Sequence, residues 1–422
     1  MLILALIIPG AARAQDLTAA ERQAVVAKIW SDARYSFAYW DRVKANWDSA
    51  LTASLAAAAR PQTDVEFLRR MKRYVALLDH GQIAIWPAGR ARDRTARPPL
   101  ELASLERRPF IMDYAENDEM RVARPQRLAE IVAVQGVPAE RWITDSVLPG
   151  VSGINPEDRW RRAVTNMLEG PRGTALHLLL KLPGGETRGA SVTRSVSLSA
   201  RWPLKRAAIE VDTLPDRSVL VRLNDFDDPD IVKDFDRAFP DFAGVHGLLL
   251  DVRKNASMTA AAGYAILARL VSRPFVGVQW RTPEFRGDSG MGWYAGAPDT
   301  IAPRTDRPRY SGPVVALAGT ATGAAGEDFL VALRNTGRGQ IVGDATAGDG
   351  GRAALIDLPR GWRFQICVAR HTFPDGAEYV ETGIAPEQRV LTTVDDVLKG
   401  RDAVLERARE YLAARAASAP PQ

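Results

Sequence analysis

From about residue 203 the chain alternates short apolar runs with helical patterns, and this alternation restricts its architecture more than any single motif does. "SVLVRL" leads to helical "DIVKDFDRAF", "GLLLDVR" to "AAAGYAILARLV", and "GPVVALA" to "GEDFLVALRNTG", after which "QIVGD" is again a strand. Strand and helix in turn predict an α/β core with ligands near the carboxyl ends of the strands. Two loops stand at such ends, "DVRKNASM" and "GTATGAAGEDF". The second is a strand-to-helix turn. Its small residues let a substrate backbone come close, and the free N–H groups of the helix that follows favour a developing negative charge. Turns of this kind often carry a nucleophile, yet residues 319–329 contain neither Ser nor Cys.

Upstream, Thr18 with Glu21 and Thr63 with Glu66 have the spacing of capping boxes. Val65, Leu68, Met71, Val75 and Leu78 recur at helical intervals. Residues 15–92 therefore read as a helical domain ending in "LLDHGQIAIWP", where Ile83 and Ile85 alternate as in a strand. "ARDRTARPP" reads as a polar linker. Strand patterns "PFIMDY", "MRVARP" and "AEIVAVQGVPAERW", helix "PEDRWRRAVTNMLEG", and strands "TALHLLLKLP" and "TRGASVTR" predict a small mixed domain over 105–200. Domains with this order often have a sheet edge that takes up a peptide as an added strand. The core occupies 203–415 and closes on a long Arg-rich helix, followed by a disordered tail over 416–422.

With 422 residues, 46% hydrophobic and 25% charged, the chain has material for two or three cores. At the start, apolar Leu2 to Ile8 precede Ala12-Arg13-Ala14, the pattern of a signal peptide over 1–14, which implies a periplasmic or extracellular protein. The run is too short for a stable membrane span. Cys367 is the sole cysteine, so no intrachain disulfide forms, and a buried structural thiol is expected. The net charge of +5 comes from Arg scattered among acids rather than from a basic stripe, which argues against nucleic acid as a partner. No cofactor or metal motif is present, and the oligomeric state is not legible.

"GPVVALAGTATGAAGEDFLVALRNTGRGQIVGDATAGDGG" resembles the nucleophile segment of the C-terminal (tail-specific) processing peptidases, above all their tricorn-like branch. "GLLLDVRKNASMTAAAGYAILARLV" resembles the oxyanion element of that family, "YVETGIAPEQRV" a late strand and "KGRDAVLERAREYL" its closing helix. The matching segments occur in order from about residue 25 to 412. The resemblance implies a crotonase-like protease domain, a PDZ-like domain at 105–200, a polypeptide substrate, and a serine nucleophile with a histidine base and an orienting glutamate. Chemically, a weak hydroxyl nucleophile needs a base in reach, an orienter for it, and donors where the oxyanion forms.

Carried over residue by residue, the family's serine falls on Ala324, which has no group to attack a carbonyl. Thr320 and Thr322 lie four and two positions earlier, too far to replace it, and turn hydroxyls of this kind usually bond nearby backbone. The base falls on His80, one place early in "DHGQ", against a purely structural role at a helix end. The orienter falls on Glu381, with a solvated strand glutamate as the alternative, since Glu378 lies nearby. His177, His246 and His371 read as structural. Asp349 stands where another branch keeps a lysine, which excludes a Ser–Lys dyad. Oxyanion donors fall on Ala325, Ser257 and Ala256, but the family's triple glycine is here Ala256, Ser257 and Met258, whose Cβ atoms restrict the backbone. Arg253 and Asn255 read as loop-shaping. These departures favour a degenerate family member over an active peptidase or an engineered alanine. The alternative is a non-catalytic peptide-binding or adaptor protein, and an acyl-CoA enzyme is disfavoured because no CoA-binding signal accompanies the core.

Overall fold

Both capping boxes form in the computed structural model, which describes residues 16–198, 207–242, 244–306 and 308–417. The predicted signal peptide lies outside the described residues. Thr18 opens α1 (Ala19–Ser36); α2 is Trp47–Ala59; Thr63 opens α3 (Asp64–Val75). Each box satisfies two N–H groups that the helix itself leaves unbonded, a gain of about 1 kcal/mol. Phe67, Leu68, Met71, Tyr74 and Val75 of α3 are buried against Val25, Val26 and Ile29 of α1. The same cluster includes Trp362, Phe364, Ile366 and Cys367 from the far end of the chain. The N-terminal helices therefore share a core with the C-terminal region. The strand expected around Ile83 is β1 (Ala84–Trp86), which pairs antiparallel with Arg363–Gln365. Three residues cannot hold a strand alone, and the distant partner supplies the missing ladder.

The segment read as a linker is ordered. It forms α4 (Gly89–Arg94) and β2 (Thr95–Arg97), and β2 pairs with Gly170–Pro171 and Val196–Ser197. These partners lie about 75 and 100 residues away, so polar composition alone concealed the strand. A separate sheet runs β3 (Leu100–Leu105), β4 (Arg108–Tyr114), β5 (Glu130–Val134), β6 (Ala175–Lys181) and β7 (Thr187–Thr193) in spatial order. "MRVARP" is not a strand, because Asn117 caps Met120 N–H and starts α5 (Asp118–Ala123). Its alternation was misleading, as Val122 is exposed and only Met120 is buried. Helix α6 (Pro156–Asn166), begun by an Asn155 cap, packs on this sheet. β6 and β7 finish it.

The core follows the predicted alternation. β8 (Ile209–Thr213) pairs antiparallel with β9 (Val219–Leu223); then come α7 (Ile231–Ala238), β10 (Leu248–Asp251) and α8 (Ala261–Leu267). β11 (Gln279–Phe285) and β12 (Met291–Ala295) form a hairpin. β13 (Val314–Ala318), α9 (Ala325–Thr336) and β14 (Gln340–Gly343) complete the crossover units. β15 (Arg352–Asp357) and β16 (Arg363–Thr372) pair antiparallel, and β17 (Gln388–Arg389) joins β14. The main sheet has the order β8-β9-β10-β13-β14-β17, parallel from β9 onward. A second sheet has the order β1-β16-β11-β12, with β15 also on β16. β10 and β13 are buried on both faces, as expected of strands covered by helices.

The closing helix is broken. α10 (Val394–Leu398) and α11 (Ala403–Ala417) are separated at Gly400, φ 67°, a left-handed position that an ordinary side chain resists. The break places Asp402 on the guanidinium of Arg253, 2.8 Å away. α11 includes the first two residues of the predicted tail, and 418–422 lie outside the described residues. Among the described residues no helix is long and apolar enough to cross a membrane.

Candidate functional site

β13 ends at Ala318 and α9 begins at Ala325, so residues 319–324 are the turn that the sequence predicts. Ala324 has φ 44° and ψ −115°, a region disfavoured for any residue with a Cβ and costing about 1–3 kcal/mol. Strain of this kind projects a side chain away from strand and helix alike, yet the side chain here is a methyl group. Thr322 is buried, its hydroxyl donating to the Val252 carbonyl at 2.9 Å and accepting from Gly319 N–H. Thr320 is exposed.

The turn holds a carboxylate. Asp349 accepts from Ala324 N–H at 3.0 Å through Oδ1 and from Arg162 Nη2 at 2.8 Å through Oδ2. Gly81 and Gly323 flank it: a Cβ on either would come within 2.6 Å of an Asp349 oxygen. Arg162 projects from α6 and also binds Asp158 through Nε, at 2.7 and 2.9 Å. Asp158 in turn accepts from Ile154 N–H. Only 5% of the Asp349 side chain and 2% of that of Asp158 are exposed. Asn155, one turn before, donates to the Glu381 carbonyl at 2.7 Å. Asn155, Asp158 and Arg162, spaced to share one face of α6, thus bind the layer of α6 and its sheet to the core at the turn after β13.

His80 is fully buried and stacked on Tyr39, ring centroids 4.6 Å apart, with Phe37 edge-on. Its Nδ1 accepts from Gln82 N–H at 3.1 Å, which puts the ring proton on Nε2. Nε2 is buried without a hydrogen-bond partner among the described residues. Burial, with the Arg162 charge adding to it, lowers its pKa to about 3. A histidine neutral when folded and ordinary when unfolded stabilises the fold above pH ~6.5 and loses that contribution as pH falls toward 3. Unfolding free energies from denaturant titrations across this window should fall with a slope approaching about 1.4 kcal/mol per pH unit, and His80→Gln should flatten it. An unchanged slope would show that His80 does not titrate with unfolding.

Glu381 is not in a strand. It lies in a turn at φ 72°, and 54% of its side chain is exposed, paired with Arg42 at 3.0 Å. Two glycine-type conformations, at Glu381 and Gly383 on either side of Thr382, bend the segment where period-two alternation suggests extension. Glu378 also pairs with Arg42. No hydrogen bond among the described residues joins His80, Glu381 and the Ala324 turn into a relay.

The "NASM" loop is internally bonded. Asn255 is buried, donates to the Leu223 carbonyl and accepts from Ser257 N–H; Ser257 Oγ accepts from Phe226 N–H. Ala325 N–H donates to the Ser257 carbonyl at 3.1 Å. The expected donors of Ala325 and Ser257 are thus already engaged, and Ala256 sits exposed on the loop. Arg253 is held by Asp251 and Asp402.

Sequence reasoning did not find Arg162 or the buried Glu327. Burial, then the Asp349 charge, pushes the Glu327 carboxyl well above the usual range, and its Oε1 accepts from Thr346 Oγ1 and Gly348 N–H. The lysine position occupied by Asp349 was the one available signal. His371 pairs with Asp328, which also accepts from Tyr379, while His177 and His246 are exposed. Cys367 is buried, and burial raises its pKa. Among the described residues no cluster of His, Cys, Asp or Glu is placed to hold a metal.

A cleft of about 870 Å³ is lined in part by Arg162, the partner of Asp349. Its floor is the outer face of β1, β16 and β15, with Ala84, Trp86, Leu355, Arg363 and Gln365. Leu68, Lys72 and Val75 of α3 form one wall; Gly150 to Ser152 and Arg162 form another, with Met258 at the border. Among the described residues the β1 backbone has no strand partner on the side away from β16.

Residues 217–390 match the family model described as peptidase family S41. The chain is 26% identical over 234 residues to the chloroplastic C-terminal processing peptidase of Tetradesmus obliquus, covering 53% of this chain and 48% of that one. It is 27% identical over 274 residues to the carboxyl-terminal-processing protease of a Picosynechococcus strain, covering 62% and 60% respectively. It therefore spans between about half and three fifths of the length of these curated relatives. Its fold resembles the crystal structure of mature CPAF, with a TM-score of 0.68, 14% identity, and coverage of 94% of this chain and 96% of that one.

Proposed function

The chain is related to the C-terminal processing peptidases and carries a peptidase family S41 domain over residues 217–390, and from that premise we propose that it binds polypeptide segments without cutting them. Relatives named for C-terminal processing suggest the ligand class, an extended polypeptide near its C-terminus. The observation that carries the non-catalytic reading is the Asp349 carboxylate seated on Ala324 N–H, where a peptidase needs a nucleophile and room for an acyl group. Three other features support it: an inward-facing His80 with Nδ1 engaged, a Glu381 turned out to Arg42, and donor N–H groups bonded to the protein itself. The domain at 105–200 is proposed as PDZ-like, and the chain as exported.

The cleft suits an extended ligand. Its floor offers an unpaired strand edge at β1, beside Trp86 and Leu355, and an added strand gains backbone hydrogen bonds irrespective of sequence. Anisotropy with labelled unstructured peptides should show saturable binding, weakened about tenfold by Trp86→Asp, while mass spectrometry of the same mixtures shows intact peptide. Cleavage products from the unmodified chain, absent after heat inactivation, would sink the reading.

A further inference from the structure

Arg162 and Ala324 N–H form an anion site that the chain fills with its own side chain, and we propose that the site receives the terminal carboxylate of a peptide lying in the adjacent cleft, Asp349 being its internal stand-in. This rests on the peptide-binding reading above and specifies which end of the peptide is held.

The site is built from separate parts of the chain. A guanidinium from α6 and a backbone N–H from the core converge on one carboxylate at 2.8 and 3.0 Å. The flanking positions 81 and 323 are glycines, and a side chain at either would strike that carboxylate. A planar guanidinium matches the two oxygens of a carboxylate better than it matches a neutral group.

Charge balance marks Asp349 as the exchangeable partner. Asp158 is paired with Arg161 at 2.6 Å as well as with Arg162, whereas among the described residues Asp349 is paired with Arg162 alone. Asp158 binds Arg162 through Nε by both oxygens and also accepts from Ile154 N–H, so it belongs to α6. Asp349 comes from the opposite side of the interface and adds its charge beside the buried Glu327 carboxyl. Replacement of the Asp349 carboxylate by that of a ligand leaves the local charge unchanged, so the exchange needs no proton or counter-ion. Arg162 lines the cleft, whose nearby Leu68, Val75 and Ile83 are apolar and suit the last side chains of the peptide.

The test compares each peptide with its C-terminally amidated twin on the full chain. Asp349→Ala should bind the free acid about tenfold more tightly than the amide and about tenfold more tightly than the unmodified chain does. In that variant formate, but not chloride at equal ionic strength, should raise the melting temperature saturably. Adding Arg162→Met should remove both effects. If Asp349→Ala does not fold, the near-isosteric Asp349→Asn should still bind the acid more tightly than the unmodified chain. Equal affinity for acid and amide in every variant would overturn this inference and leave peptide binding standing. Formate stabilisation with no peptide bound by any variant would overturn both.

Discussion

Serine restored at position 324 should leave the chain without measurable peptidase turnover. Loss of the nucleophile alone removes on the order of 10⁶ in kcat from a serine peptidase, and Ala324→Ser would recover that factor if the remaining groups were in place. They are not. A useful general base has a pKa near the working pH and an open nitrogen toward the hydroxyl. His80 has a pKa of about 3, and its Nδ1 is bonded to Gln82 N–H. The orienter position, Glu381, is bonded to Arg42 in the outer turn. Ala325 N–H, an expected oxyanion donor, is bonded to the Ser257 carbonyl. The Asp349 carboxylate on the turn itself repels a developing oxyanion. Mass spectrometry of unstructured proteins incubated with Ala324→Ser should therefore match the unmodified chain. Clear hydrolysis by the variant would mean that the base and donors reach productive positions on binding, and that Ala324 alone blocks the reaction.

Removal of Arg162 should be the most destabilising single change at the site. Arg162→Ala leaves the Asp349 carboxylate, 5% exposed, with no cation partner among the described residues, and leaves Asp158, 2% exposed, with Arg161 alone. Breaking a buried pair from one side typically costs 3–5 kcal/mol, and because 28% of the arginine side chain meets solvent we expect about 3. Equilibrium urea denaturation reads the loss. Adding Asp349→Asn should return most of it, since the stranded charge is then gone. A loss below about 1 kcal/mol would show that water already screens the pair and that α6 is held to the core by other contacts.

The sequence by itself determined the features whose physics is local. Capping at Thr18 and Thr63 depends on residues three apart, and both boxes form. Alternation from "SVLVRL" to "QIVGD" reflects strands covered by helices, and β9, β10, β13 and β14 lie side by side as parallel strands. The missing nucleophile was legible because identity at one position needs no geometry. Where local cues competed, they misled: alternation at Met120 and Val122 yielded to the Asn117 cap, and the "YVETGI" pattern yielded to two left-handed residues. Only the tertiary structure decided what fills the site. Arg162 and Asp349 are 187 residues apart and meet because α6 docks on the core beside the turn after β13. Polar composition at 89–97 and a three-residue β1 likewise acquired structure only from strands far along the chain. Periodicity and caps act within a few residues, whereas an ion pair or a borrowed ladder depends on which surfaces the finished fold brings together, and no local pattern encodes that.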